Sequence, residues 1–401
     1  NQMAVSDVIK AIRRAKANDN IKGIYLEAGS LSTGFAGIEA IRRELEDFKD
    51  SGKFIVSYGD YYTQGAYYLC SVADSVFLNP QGSVSLVGLA SQGLFFTGLA
   101  EKIGVEHYIF KVGTYKSAVE PFFLKKFSDA NREQLTSFLG SVWGNLTTAI
   151  EKSRNISSDE LDRYLNEGLA MGQASNAVDY KLADGLRYRY EVENCVKEMA
   201  GQDVKGKLKT AGVDKIVSIK VKEKENKNKI AVLYAEGEIR DEDSSSPFSA
   251  DEQVISEEMA NKLRKLKDDD DVKAVVFRVN SPGGSAYISE QIWKEVVELK
   301  AKKPIVVSMG NYAASGGYYI SCAANKIVAE RTTLTGSIGV FGVVRNFTGT
   351  FDKVGVTTDI VKTNTFADLG DISRPMREDE KAWNQLYEQT SYLLFLCTVQ
   401  E

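Results

Sequence analysis

This chain has almost no histidine. Its 401 residues include one, His107, so any Ser-His-Asp triad would rest on that residue alone. Cysteine is sparse as well. Cys70, Cys195, Cys322 and Cys397 lack metal-site spacing and read as small buried side chains rather than a disulfide. No apolar run approaches the ~18–20 residues needed to cross a bilayer. Excess charge of either sign is also missing. With 50 basic against 55 acidic residues the net charge is −5, which gives no basic footprint for nucleic acid. The remainder, 43% hydrophobic and 26% charged, is the composition of a globular protein long enough for two domains.

What is present is a repeat. Gly59–Tyr68 aligns with Gly310–Tyr319 at an offset of 251, which sets Gln64 against Ser315. In the same register Lys111–Lys116 aligns with Lys362–Ala367, which sets Lys116 against Ala367. A nucleophile candidate survives in one copy and a base candidate in the other.

Both copies alternate strand and helix. In the first, apolar runs at Ile21–Ala28, Phe54–Tyr58 and Ser75–Leu78 read as strands, with helices over Ile38–Phe48 and after Gln64. In the second, Ile230–Gly237, Val272–Val279, Pro304–Met309 and Lys326–Ala329 are strands. The runs starting at Ile230, Val272 and Pro304 read as buried. Helices follow over Glu257–Lys267 and Ser285–Lys300 and from Ser315 onward. Such βαβ alternation predicts mostly parallel sheets flanked by helices, an α/β fold of two tandem repeats. Ser128–Gly172 reads as wholly helical. Residues 203–228 hold eight lysines and form an exposed connector with one strand, Ile216–Val221. The expected division is therefore 1–202, 203–228 and 229–401, with a mobile loop over Asp241–Asp251. The strand at Ile230 has its first-copy counterpart before residue 1, and the helical sequence up to Ala200 has no second-copy counterpart. The natural chain is accordingly expected to extend beyond both ends.

Ser315 falls between a strand and a short helix, at a corner supplied by Gly316 and Gly317. Such a corner exposes a hydroxyl, and the glycine after it lets a backbone N–H approach a reacting carbonyl oxygen. Asn280-Ser281-Pro282-Gly283-Gly284 makes a second strand-to-helix turn, where Gly283 or Gly284 could add another oxyanion donor. The first copy has Gly29-Ser30-Leu31-Ser32-Thr33 there, so both turns are lost together. A serine needs a base. A desolvated lysine can serve, and Lys116, beyond the strand-like run Tyr108–Val112, is the one whose copy has become alanine. His107 reads as structural.

At these residues the chain resembles the signal peptide peptidase A family, in its long two-repeat form found in Gram-negative bacteria. The likeness is most specific at Asn311–Tyr319, Thr335–Gly339, Asn280–Gly284 and Val112–Pro121. It implies a fold similar to Clp protease and crotonase, with Ser315 as nucleophile, Lys116 as general base and Ser337 (opposite Leu86) orienting the lysine. With Gly316 and Gly283 or Gly284 as oxyanion donors, the resemblance implies a Ser-Lys serine endopeptidase, for which no cofactor or metal is expected. The resemblance further implies a homo-oligomer, a tetramer, on the periplasmic side of the bacterial inner membrane. It would be held there by an N-terminal anchor absent from this sequence, and would degrade apolar remnant signal peptides. The early stop at Glu401 departs from the family pattern. Two competing readings are a crotonase-like acyl-coenzyme A enzyme and a non-catalytic membrane-associated scaffold. The absence of an obvious carboxylate beside the glycine turns argues against the first.

Overall fold

The computed structural model describes residues 3–27, 29, 31–219, 227–241 and 253–400. Apart from Asp241, the loop expected over Asp241–Asp251 lies outside them. The chain forms two compact units. One comprises Asn1–Ala90, Leu139–Glu225 and Glu330–Thr333, and the other Ser91–Phe138, Asn226–Ala329 and Leu334–Glu401. This division differs from 1–202, 203–228 and 229–401, because residues 91–138 of the first copy pack with the second copy.

In the first unit, strands Gly23–Glu27, Phe54–Tyr62, Ser75–Val84 and Gly185–Leu186 lie in that order, all parallel. Val56, Tyr58 and Phe77 on one sheet face meet Val192 and Val196 of helix Arg189–Met199. Alternate side chains of a strand share a face, and valines four apart share a helix stripe, so the two patterns interlock.

The second unit carries a sheet ordered Lys326–Val328, Ile305–Ala314, Val272–Ser281 and Lys229–Glu236, again parallel. Val275, Phe277 and Val279 point into its core. There they meet Ile288, Ile292, Val296 and Leu299, the apolar stripe of helix Ala286–Lys302. Each of these side chains is at most 1% exposed, so each adds about 1.5–3 kcal/mol of transfer energy.

Three sequence expectations change. The strand Lys229–Glu236 is an edge strand, not a buried one. Ala231, Leu233 and Ala235 face the core, while Ile230, Val232 and Tyr234 are exposed. The strand expected at Ile216–Val221 is instead the end of a short helix, Val213–Val217, with residues 220 and 221 outside the described ones. The tract Ser128–Gly172 breaks into Asp129–Arg154, Ser158–Asn166 and a turn of 3-10 helix, Leu169–Met171. Asn155 sits at φ 52°, and Ser157 with Glu160 closes a capping box that starts the next helix.

One pairing matters most for the site. Strand Glu106–Lys111 runs antiparallel to Phe341–Asn346, both within the second unit, with Lys111 opposite Phe341. The first belongs to the first sequence copy and the second to the second copy. Neither 357–362 nor 90–95, their repeat counterparts, forms a strand.

Candidate active site

The nucleophile candidate stands where a strand gives way to a helix. Strand Ile305–Ala314 bulges between Met309 and Ala313, and the side chain of Asn280 fills the bulge. Its Oδ1 accepts the N–H groups of Asn311 (2.9 Å) and Tyr312 (3.2 Å). Strand Leu334–Gly336 then pairs with Tyr312–Ala314, and Ser315 N–H donates to Gly336 O at 2.8 Å. Ser315 itself has φ 53° and ψ −119°, a conformation costing about 1–3 kcal/mol for a residue with a Cβ. Although it precedes helix Gly316–Cys322, its side chain makes no cap. The hydroxyl turns elsewhere.

It turns to Lys116. The Nζ lies 3.0 Å from Ser315 Oγ, 2.9 Å from Ser337 O and 3.0 Å from Ser337 Oγ. All three residues belong to the second unit. Lys116 is 6% exposed, and burial pulls its pKa from 10.5 down to about 8. No carboxylate among the described residues opposes that shift. Ser337 also has a positive φ, 53°. Gly339 gives the lysine stem its room, since a Cβ there would meet Lys116 Cδ at 3.2 Å and Val112 O at 3.1 Å.

The turn carrying Lys116 is anchored from below. Glu120, 1% exposed, accepts hydrogen bonds from the Ser128 hydroxyl, from Ser128 N–H at 3.2 Å and from Asn131 Nδ2 at 2.8 Å. Gln134 Nε2 donates to Ser117 Oγ at 2.7 Å. Sequence reading missed this bracket, because nothing in a residue's type announces that it holds its neighbour's loop.

The two glycines of the upstream turn differ. Gly283 N–H is spent on Ser281 Oγ at 3.1 Å, whereas neither Gly284 N–H nor Gly316 N–H meets an acceptor among the described residues. Gly283 also cannot carry a side chain. Its φ is 103°, and a Cβ would lie 2.7 Å from Gly316 N and 2.8 Å from Ser315 Cβ.

A cavity of about 620 Å³ opens beside this group, lined by Lys116, Ser315, Gly284 and Gly316 and walled by Tyr319, Phe341 and Phe395. Two carboxylates, Glu290 and Glu388, also line it. The expectation of no carboxylate beside the turns is therefore corrected. Glu388 lies 73 residues beyond Ser315 in sequence, on helix Glu378–Gln400, which packs against strands Glu106–Lys111 and Phe341–Asn346. His107 is not part of the cavity lining. Its ring lies 5.1 Å from that of Phe122, and burial together with Arg345 lowers its pKa. All four cysteines are free. Cys70 is buried, Cys195 and Cys322 are half-buried and Cys397 is exposed. Among the described residues, no helix is long and apolar enough to cross a membrane.

The likeness to known proteins agrees with this arrangement. The sequence pattern of peptidase family S49 matches residues 47–203 and 297–401, and that of Clp protease matches 246–338. Protease 4 of Salmonella typhi is 37% identical over 403 residues, which takes in 98% of this chain and 64% of that protein. Protease 4 of Haemophilus influenzae is 37% identical, with 93% of this chain and 62% of the relative covered. A chloroplastic serine protease SPPA of Arabidopsis thaliana is 32% identical, at 95% and 57%. The chain thus spans about six-tenths of the length of these relatives. The α/β architecture with mostly parallel, helix-flanked sheets is Clp protease-like, and the chain belongs to peptidase family S49.

Proposed function

We propose that this protein is a serine endopeptidase working through a Ser315–Lys116 pair. The observation that carries the reading is the 3.0 Å contact between Ser315 Oγ and a lysine whose burial brings its pKa to about 8. In its neutral form Lys116 takes the hydroxyl proton as Ser315 attacks a peptide carbonyl. Ser337 orients the amine through its hydroxyl and its carbonyl. The N–H groups of Gly316 and Gly284 receive the oxyanion, and Gly283, whose N–H is occupied, shapes the turn. Lys116 then protonates the leaving amine and activates water against the acyl-enzyme.

The substrates are peptides, in this reading the apolar remnants of cleaved signal peptides. The enzyme works as a homotetramer on the periplasmic face of the bacterial inner membrane, and its two sequence copies, 1–202 and 229–401 around a connector, each supply one half of the pair. The names of the relatives, Protease 4 and serine protease SPPA, support the peptidase part of this reading.

The crotonase-like reading gains from Glu290 and Glu388, which give it carboxylates in the cavity. It leaves the Ser315–Lys116 contact without a purpose. Incubating the purified protein with acyl-coenzyme A thioesters and with a peptide library separates the two. A fluorophosphonate probe is expected to label Ser315 in the native protein. Failure to label, or near-normal peptide hydrolysis by Lys116→Ala protein, removes the pair from consideration.

A further inference from the structure

The cavity beside Ser315 contains one ionisable group that the reaction does not use and that no described residue pairs. Glu388 is 9% exposed, yet its carboxylate lines the cavity. Among the described residues it meets no cation, and burial alone pushes its pKa upward. Its oxygens are not among the buried atoms that lack a hydrogen-bond partner, so they face the cavity, and a partly desolvated carboxylate favours a cation there. It lies close over Gly342, where an added Cβ would be 2.7 Å from Glu388 Oε1. The neighbouring Glu290 accepts the Tyr319 hydroxyl through Oε2. The walls between them are aromatic, including Tyr319, Phe341 and Phe395. This combination suits a long aliphatic stem with a cation at its tip.

The repeat supplies an independent argument. At the offset of 251, Gln385-Leu386 falls on Gln134-Leu135, and Glu388 falls on Ser137. The copy that lacks the nucleophile also lacks this acid, whereas Glu290 has a counterpart in Glu39.

We propose that the cavity is a subsite for a basic side chain of the peptide substrate, a lysine or arginine, whose charge pairs with Glu388. The proposal rests on the peptidase reading and narrows its substrates, for a wholly apolar peptide leaves Glu388 unpaired. It fits a peptide that joins an apolar segment to a basic one, as the charged and apolar regions of a signal peptide are joined.

The test uses fluorogenic peptides in which lysine, norleucine and Nε-acetyl-lysine are exchanged at each position around the cut. At one position lysine is expected to raise kcat/KM by roughly tenfold or more over norleucine, with the acetylated form behaving like norleucine. In Glu388→Gln that ratio falls to about one. A wild-type enzyme that cuts the norleucine peptides as well at every position overturns the subsite, as does an unchanged ratio in Glu388→Gln. Fluorophosphonate labelling of Ser315, run on both proteins, separates the two levels. Labelling with a flat ratio sinks the subsite and leaves the peptidase standing. Without labelling or hydrolysis, calorimetry on Ser315→Ala protein still decides, because equal affinity for lysine and norleucine peptides overturns the proposal.

Discussion

Two turns of this molecule began as copies and now do opposite things with the same backbone plan. In the first unit, helix Gln64–Cys70 starts in the ordinary way. Thr63 has φ −65° and its hydroxyl accepts Ala66 N–H. Gln64, in the register of the nucleophile, folds its Oε1 back onto the N–H groups of Val87 (3.2 Å) and Gly88 (3.1 Å). Both side-chain oxygens there, Thr63 Oγ1 and Gln64 Oε1, are taken up locally. In the second unit, Ser315 takes a strained φ, leaves its helix uncapped and faces a buried amine. In the reading proposed above, the second turn differs by what it withholds: a cap not made by Ser315, and a lysine whose shift no described carboxylate opposes.

The largest expected effect comes from removing either partner of the pair. Ser315→Ala and Lys116→Ala are each expected to lower kcat by about 10³–10⁴ with near-native circular dichroism and unfolding midpoint, and the double substitution to cost little more than either. Gln64→Ser, the converse change, is expected to create no second labelled serine, because among the described residues Gln64 meets backbone N–H groups and no lysine amine. Mass spectrometry of the fluorophosphonate adduct reads this. A label on residue 64 would mean that the difference between the turns is side-chain identity alone.

Next in size is Gly283→Ala. The first copy has Leu31 and Ser32 in that neighbourhood, so side chains are acceptable there. In the second unit residue 283 has φ 103°, and a methyl group there collides with Ala314 O and Ser315 Cβ, each at 2.8 Å. Activity is expected to fall by about 10² or more, through displacement of Ser315. Unimpaired hydrolysis would show that the turn tolerates movement that its geometry denies.

The pH dependence sharpens the comparison at the amine. A lysine with pKa about 8 is mostly protonated at pH 7 and mostly neutral at pH 9. As the base must be neutral, kcat/KM is expected to rise roughly tenfold over that interval and then level off. A profile already flat from pH 6 upward would exclude Lys116 as the titrating base.

Much of this was legible before the coordinates. The repeat exposed Ser315 and Lys116, because a side chain kept in one copy and lost in the other needs no structure to be noticed. Most strands and helices followed from β-branched runs and helical spacing. The failures share a cause. That Ile230, Val232 and Tyr234 lie on an uncovered face depends on which elements pack over the sheet, and an all-apolar run does not show this. The exchange that pairs Glu106–Lys111 with Phe341–Asn346 depends on strands more than 200 residues apart. Glu388 and Glu120 were overlooked for the same reason, since burial and distant neighbours, not residue type, make them unusual. Between Gly283 and Gly284 the sequence offered no choice, and one hydrogen bond to Ser281 distinguishes them.

Smaller effects test what each turn contributes to stability. Gln64→Ala strips two N–H groups of their acceptor, and Val87 is already exposed to water that can replace it. A loss of about 1 kcal/mol is expected, with hydrolysis unchanged. Lys116→Met should act the other way. The folded state lowers this pKa from 10.5 to about 8, so the unfolded chain binds the proton more tightly. The folded protein therefore carries the cost of a buried cation at pH values below about 8, and that cost fades as pH rises toward 10.5. Methionine of similar length removes the charge, and two serine hydroxyls that lose a partner offset part of the gain. A stabilisation of about 1–2 kcal/mol is expected at pH 7, shrinking by pH 10, as read from denaturant midpoints at both values. If Lys116→Met instead destabilises equally at both pH values, the amine is a structural tie, and the turn in the second unit is no more open than its counterpart in the first.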